Sequence, residues 1–203
     1  MRVFKQIPLY RFLDFCNTSS LEKTVLDCGA GGVNPPLSLF AEHGFNTTGV
    51  EFDSKQLKRA SEFGVNNGQA LGVVQGDMRE LSFQDESISF VYSYNSVFHM
   101  KKVDVKKSVD EMIRVLKPGG LLFVNFLTTN DFRCGEGPCV GPNEYEQMDD
   151  EPVIHSYYEP NEADIYFEDM EVLFKEDRVL ERIYEGDRIR QGFVDYILRK
   201  RMD

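Results

Sequence analysis

The sequence has no apolar run approaching the roughly 18 residues that a membrane-crossing helix requires, so no helical span is expected within it. Its first stretch, MRVFKQIPLYRFLDFC, carries basic residues but no clean apolar core followed by small residues, so a secretory signal is not expected and a cytoplasmic location is. Cysteine is sparse: Cys16, Cys28, Cys134 and Cys139 form no CxxC pair, which fits a reducing compartment better than a disulfide framework. Cys134 and Cys139 have no accompanying histidine pair, and His43, His99 and His155 fall at no ligand-like spacing, so no metal site is expected. Positive charge is also scarce. With 23 Lys and Arg against 34 Asp and Glu, the formal charge is −11, which argues against nucleic acid or an anionic membrane as the main partner, since both are bound through clustered cations. There is no internal repeat.

What is there suits a soluble globular fold. At 203 residues, with 41% hydrophobic and 28% charged residues, the chain has the length of one domain spanning 1–203 and can bury a substantial core without disulfides or metals. Short apolar runs bounded by turn signals predict strands at VLDC, FNTTGVEFD, LGVVQGD, ISFVYSYN and LLFVNFL. Between them, PPLSLFAEHG predicts a short helix ended by Gly44. Asp53 or Ser54 caps a second helix through Asn67, and Val105, Val109, Met112, Ile113 and Leu116 mark one face of a third that stops at Pro118, Gly119 and Gly120.

This alternation predicts an α/β fold, doubly wound, with a mostly parallel sheet covered by helices on both faces. Phe4, Tyr10, Phe12 and Phe15 predict an amphipathic N-terminal cap over 1–20. Residues 128–160, rich in Gly, Pro and acid, are expected to form a long irregular insertion, followed by a short helix near Glu162 to Phe167. MEVLFKEDRVLERIYEG and RIRQGFVDYILRK, joined around Gly186 and Asp187, predict an antiparallel hairpin at the sheet edge.

The organising stretch is Val25 to Gly32, VLDCGAGG. A strand ending at Asp27 and a turn containing Gly29, Gly31 and Gly32 allow positive φ angles and close backbone approach, so free N–H groups are expected to meet a polar ligand end. Three acids follow at successive strand ends: Asp27, Glu51 and Asp77. Glu51 comes after the glycine turn at close to the roughly 20-residue offset at which an acid reaches ribose hydroxyls in dinucleotide folds. A nicotinamide site is disfavoured because Asn34 breaks the GxGxxG spacing. NPPL at Asn34 to Leu37 follows the first strand, which is the wrong place for the amide-methylating NPPY motif it resembles.

Taken together, VLDCGAGG, GVEFDS, QGDMRELSF, SISFVYSYNSVFHM and EMIRVLKPGGLLFVNFL resemble, in order, the motifs of class I S-adenosylmethionine-dependent methyltransferases, and among them the small-molecule group related to ubiquinone and menaquinone biosynthesis. The resemblance covers about Thr24 to Thr128 and implies a Rossmann-like, seven-stranded sheet with an antiparallel C-terminal hairpin strand. It further implies methyl transfer from S-adenosylmethionine to a small molecule, leaving S-adenosylhomocysteine. Residue by residue, it implies that Gly29, Ala30 and Gly31 face the methionine part, with Asp27 orienting that turn and its amino group and the extra Gly32 counted with the same cofactor-binding turn. Glu51 would hold the ribose hydroxyls, Phe52 would pack on adenine, and Asp77 with Met78 would read the adenine edge. Tyr94, Asn95 and Ser96 would lie beside the reacting methyl. One departure is Val33, where the family often has a third glycine.

His99 follows the fourth strand, where it could act as a base or pack as a structural ring, and Tyr94 is the other candidate for chemistry. A non-catalytic S-adenosylmethionine-binding or regulatory module is the alternative reading. From Cys134 to Phe174 there is no Lys or Arg, so an acidic lid over the cleft predicts a neutral or cationic acceptor.

Overall fold

The computed structural model describes residues 7–184 and 186–202. Its elements are α1 (Ile7–Thr18), β1 (Thr24–Cys28), α2 (Leu37–Glu42), β2 (Asn46–Glu51), α3 (Ser54–Asn66), β3 (Val73–Gln75), β4 (Ile88–Ser93), α4 (Lys102–Val115), β5 (Leu116–Thr128), β6 (Cys139–Gly141), β7 (Glu144–Met148), β8 (Pro152–Tyr158), a 3-10 helix (Glu162–Phe167), β9 (Met170–Tyr184) and β10 (Asp187–Lys200). The central sheet runs β3-β2-β1-β4-β5 in parallel and is continued by β10, antiparallel to β5, and β9, antiparallel to β10. This is the Rossmann-like, mostly parallel sheet with its C-terminal hairpin.

The central strands read as unbroken apolar runs because both of their faces are covered. Val25, Phe90, Tyr92, Leu121 and Phe123 point to one side, into a cluster with Leu9, Phe12 and Phe40 of α1 and α2. Their neighbours Leu26, Val91, Leu122 and Val124 point to the other side, against Val105, Val109 and Met112 of α4. The period of two along each strand thus sorts residues between two helical layers. On the first side, Phe40 stacks on Tyr92 with ring centroids 5.0 Å apart, and Phe12 meets Phe40 edge-on at 6.0 Å.

Local signals set the element ends. Asp53 caps α3, its Oδ1 accepting from Lys55 N at 2.6 Å and Gln56 N at 3.2 Å. The α4 helix stops at Val115, three residues before Pro118, which biases the preceding residue to extended backbone and cannot donate to a helix. In α1 the buried side chains are Pro8, Leu9, Phe12, Leu13 and Cys16. Tyr10 lies on its exposed side and Phe15 packs only partly, so the core-facing stripe is aliphatic as much as aromatic. Phe4 lies outside the described residues.

The stretch expected to be irregular is a small antiparallel meander, β6-β7-β8. β4 pairs with β5 only as far as Val124, and β8 takes over that side of β5 at Leu127 and Thr128. These strands are short, and the pairings that hold them are distant in sequence. Ser156 N donates to Phe98 O at 2.9 Å, stitching β8 to the segment after β4. The meander therefore stands over the carboxyl ends of the central strands.

Candidate functional site

A cleft of about 930 Å³ opens where β1, β2 and β4 end. Gly29, Gly31, Gly32, Glu51, Phe52, Asp77, Met78, Tyr94, Asn95, Ser96 and His99 all line it, together with Lys55, Gln56, Arg59 and Arg79 and the meander residues Asp149 to Val153. Ten of the twelve residues expected at a cofactor site are thus gathered around one space. Asp27 and Ala30 are not: they lie beneath it, with exposures of 1% and 0%.

The glycine turn works differently from the expectation of free amides. Gly29 N and Ala30 N donate to Val50 O at 2.9 and 3.1 Å, and Gly32 N donates to Gln56 O at 3.1 Å. The Gly31 amide faces the Glu51 carboxylate and helps hold its pKa down. These bonds fix the turn against β2 and α3, and its missing Cβ atoms let neighbouring side chains that line the cleft pack directly on it. A Cβ at Gly29, whose φ is +102°, would overlap Ser96 Oγ, and one at Gly31 would come within 2.5 Å of Glu51 Oε2. Gly32, at φ +98°, would present its Cβ to open space.

Glu51 is the half-buried acid of the cleft. Burial raises its pKa, and its Oε1 accepts from Asp53 N at 2.9 Å, which opposes that rise. A carboxylate has about four lone-pair sites, so acceptor capacity toward the cleft remains. Asp77 is engaged differently: Arg79 grips it through Nε at 2.9 Å to Oδ1 and Nη2 at 2.6 Å to Oδ2, which holds its pKa low. The same guanidinium stands 5.9 Å from the Phe52 ring centroid, and Phe52 is 68% exposed. Phe52 and Arg79 thus form an open edge able to receive a flat ring.

Beneath the turn, Asp27 Oδ2 accepts from Tyr92 Oη at 2.8 Å, both side chains being buried. Burial pushes the Asp27 pKa to about 8, with the Glu51 charge adding to the rise and the Tyr92 bond reducing it. At the far wall, Asn95 takes a left-handed φ of +52°. It is held there by Asn125, a fully buried side chain on β5 that the motif reading passed over. Tyr94 is half-buried, its ring 6.1 Å from that of Phe123.

His99 opens onto the cleft. Its ring meets His155 edge-on at 4.7 Å between centroids, and His155 Nε2 lies 3.6 Å from Asp149 Oδ2. His99 keeps an exposed surface, and the protein packed around its ring, with His155 beside it, lowers its pKa, while Asp149 works the other way. His43 sits at the exposed end of α2, its Nδ1 paired with Leu39 O at 2.8 Å. Among the described residues, no group of His, Cys, Asp and Glu could hold a metal, and all four cysteines are free. Nor is any helix among them long and apolar enough to cross a membrane.

Residues 26–124 match the family described as a methyltransferase domain. Over 101 residues the chain is 39% identical to 2-methyl-6-phytyl-1,4-hydroquinone methyltransferase of Synechocystis, covering 50% of this chain and 31% of that protein. It is 32% identical over 111 residues to a sterol 24-C-methyltransferase of Gibberella zeae, covering 53% of this chain and 29% of that protein. The matched stretch therefore spans about three tenths of the length of these curated relatives. In fold, the chain is similar to an S-adenosylmethionine-dependent methyltransferase of Clostridium acetobutylicum, with TM-score 0.73 and 13% identity, covering 99% of this chain and 93% of that one. A Methanosarcina mazei methyltransferase gives TM-score 0.71 at 20% identity and full coverage of both chains.

Proposed function

We propose, from the premise that residues 26–124 are a methyltransferase domain, that this chain moves a methyl group from S-adenosylmethionine to a small-molecule acceptor by in-line displacement. The observation that carries the reading is the pairing of the glycine turn with Glu51 at one end of a cleft and Tyr94, Asn95 and Ser96 at the other. Gly29 and Gly31 let Ser96 and the Glu51 carboxylate pack directly against the turn, and Gly32 leaves open space beside it, the fit expected of a floor against which a cofactor's methionine end lies. When bound, S-adenosylmethionine supplies a sulfonium-activated methyl group.

The chain's own residues bind and orient. Glu51 accepts the ribose hydroxyls with the lone pairs left free by Asp53 N and Gly31 N. Phe52, backed by Arg79, receives the adenine face, and Asp77, oriented by the same arginine, stands with Met78 at the adenine edge. Asp27 sets the turn from below through Tyr92 rather than touching the ligand. Tyr94, Asn95 and Ser96 would border the reacting methyl, and holding the acceptor atom in line with it would be the main source of rate. The meander over 139–158 narrows the cleft from above and excludes water.

Three meander acids, Asp149, Asp150 and Glu151, line the mouth; Asp149 is paired with Arg133 at 2.7 Å and Glu151 with Lys55 at 2.5 Å. An acidic mouth favours a neutral or cationic acceptor over an anionic one. Four free cysteines and the excess of acid suit a cytoplasmic enzyme acting on small molecules. The test is to incubate the purified chain with S-adenosylmethionine and matched amine, hydroquinone and carboxylate acceptors at low and high salt, following S-adenosylhomocysteine. Formation of S-adenosylhomocysteine with amines or hydroquinones, and a preference that weakens with salt, is expected. Tight cofactor binding with no turnover of any acceptor would favour a binding module instead, and a clear preference for carboxylates would overturn the charge argument.

A further inference from the structure

Three side chains from distant parts of the sequence converge on the cleft wall. His99 comes from the segment after β4, His155 from β8, and Asp149 from the turn between β7 and β8. His155 is 4% exposed, and among the described residues its Nδ1 meets no hydrogen-bond partner, a costly arrangement for a buried imidazole. Its Nε2 faces Asp149 Oδ2 at 3.6 Å, and Asp149 is fixed from behind by Arg133 Nη1 at 2.7 Å. Among the described residues no hydrogen bond reaches the His99 ring, which is open to the cleft where the reacting groups would meet. The two histidine-bearing segments are bound into one unit: Ser156 N donates to Phe98 O at 2.9 Å, and the Ser156 hydroxyl donates to Met100 O.

We propose that the meander's His155 and Asp149 are positioning residues for His99, setting the orientation and charge of a cleft-facing imidazole that takes the acceptor's proton. This rests on the methyl-transfer reading above. In the step, the acceptor atom's electron pair forms the bond to the methyl carbon, and the carbon–sulfur pair goes to sulfur, leaving a neutral thioether. The proton on the acceptor atom passes to a His99 ring nitrogen. A neutral imidazole suits a place beside a sulfonium, where a second cation would be repelled. The imidazolium formed after transfer has the Asp149 carboxylate, across His155, to lower its energy. The charged and titratable groups acting on the pair are Asp149, Arg133 and, on His155, Asp131. The meander thereby supplies part of the chemistry as well as a roof.

With only three histidines in the chain, proton NMR can follow each imidazole through a pH titration of the full chain. In the parent, His99 is expected to titrate below the ordinary histidine value. In His155→Asn its titration should move up by about half a pH unit or more, and in Asp149→Asn it should move down, because a neighbouring cation site or anion is removed. Diethyl pyrocarbonate, which acylates neutral accessible imidazoles, should modify His99 at pH 6 ahead of His155. A His99 titration near the ordinary histidine value, one unmoved by both variants, or acylation of His155 first would overturn the proposal. Asp149→Asn keeps the volume of the side chain and carries the test if His155→Asn does not fold. Because these signals are read in the free protein, failure of a parallel S-adenosylhomocysteine calorimetry would count against the methyl-transfer reading and not against the His99 assignment.

Discussion

Asn95 and Asn125 hold each other by two hydrogen bonds: Asn95 N donates to Asn125 Oδ1 at 2.8 Å, and Asn125 Nδ2 donates to Asn95 Oδ1 at 2.6 Å. The pair locks Asn95 in a left-handed conformation, φ +52°, and so aims Tyr94 and Ser96 at the cleft. Asn125→Ala should therefore destabilise the fold by about 1–3 kcal/mol, since the two hydrogen bonds of the pair are lost. It should also weaken S-adenosylhomocysteine binding. Asn95→Gly, which adopts positive φ without strain, should lose less of either. Urea denaturation and calorimetry on the two variants check the order.

At Gly31 the prediction is steric. A Cβ there meets Glu51 Oε2 at 2.5 Å and Gln56 Cβ at 2.6 Å, so Gly31→Ala must displace the carboxylate that would hold the ribose. Cofactor affinity should fall roughly as far as in Glu51→Ala, about 1.5–3 kcal/mol for a lost charged hydrogen-bond pair. Gly32→Ala meets nothing within 4 Å and should cost stability, through its φ of +98°, with less effect on affinity. Asp77→Ala should weaken binding less than Glu51→Ala, since Arg79 already occupies much of that carboxylate. Equal affinities in Gly31→Ala and the parent would place the ribose elsewhere.

Why was so much of this visible in the chain alone? The β1 to α3 stretch is written in local signals: Asp53 caps α3 and the buried runs of β1 and β4 stand out as short apolar blocks. Glu51 and the glycines occupy a strand end and a turn, which spacing can place. The meander was illegible because its register depends on partners distant in sequence, such as Leu127 with Tyr157, and its acids and glycines look like loop. Asn125 carries no local mark for the same reason: it acts through Asn95, 30 residues away in sequence. His155 reads only as a histidine at no ligand-like spacing, because its neighbour His99 lies on a distant segment. The glycine amides show the converse: the turn was found, but only the structure shows that Val50 and Gln56 already use its N–H groups.

Asp27 makes stability depend on pH. Its folded pKa of about 8 lies above its unfolded value, so between those two values the folded chain holds a proton that the unfolded chain has released. Its contribution is fully present below the unfolded value near 4 and is lost as pH rises through about 8. Asp27→Asn keeps an oxygen to accept from Tyr92 and carries no charge. The stability of the parent relative to Asp27→Asn should therefore fall between pH 5 and 8, by at most about 1.4 kcal/mol per pH unit. Urea melts of both proteins at pH 5.5 and 8.5 measure it, and parallel pH profiles would show that Asp27 is ionised in the fold.

The hairpin carries an ion pair whose carboxylate is buried. Arg178 on β9 reaches Asp195 on β10 in a two-pronged contact, Nε to Oδ2 at 2.9 Å and Nη2 to Oδ1 at 3.1 Å, with its guanidinium 4.9 Å from the Phe193 ring centroid. Asp195 is 1% exposed, and burial raises its pKa despite the arginine. Removing the cation should leave a buried carboxylate with no counter-charge, so Arg178→Ala is expected to cost about 3–5 kcal/mol at neutral pH. The sign of its pH dependence follows from that loss. Without Arg178 the folded Asp195 pKa rises further, so the variant recovers part of its stability in acid, where the carboxyl is protonated, and loses most above neutrality. Exchanging both partners, Arg178→Met with Asp195→Leu, removes the charge and its penalty together and should be milder than Arg178→Ala alone. A double-mutant cycle by urea denaturation at pH 5 and 8 reads both effects, and an Arg178→Ala loss that is small and independent of pH would show that the pair is solvated and contributes little.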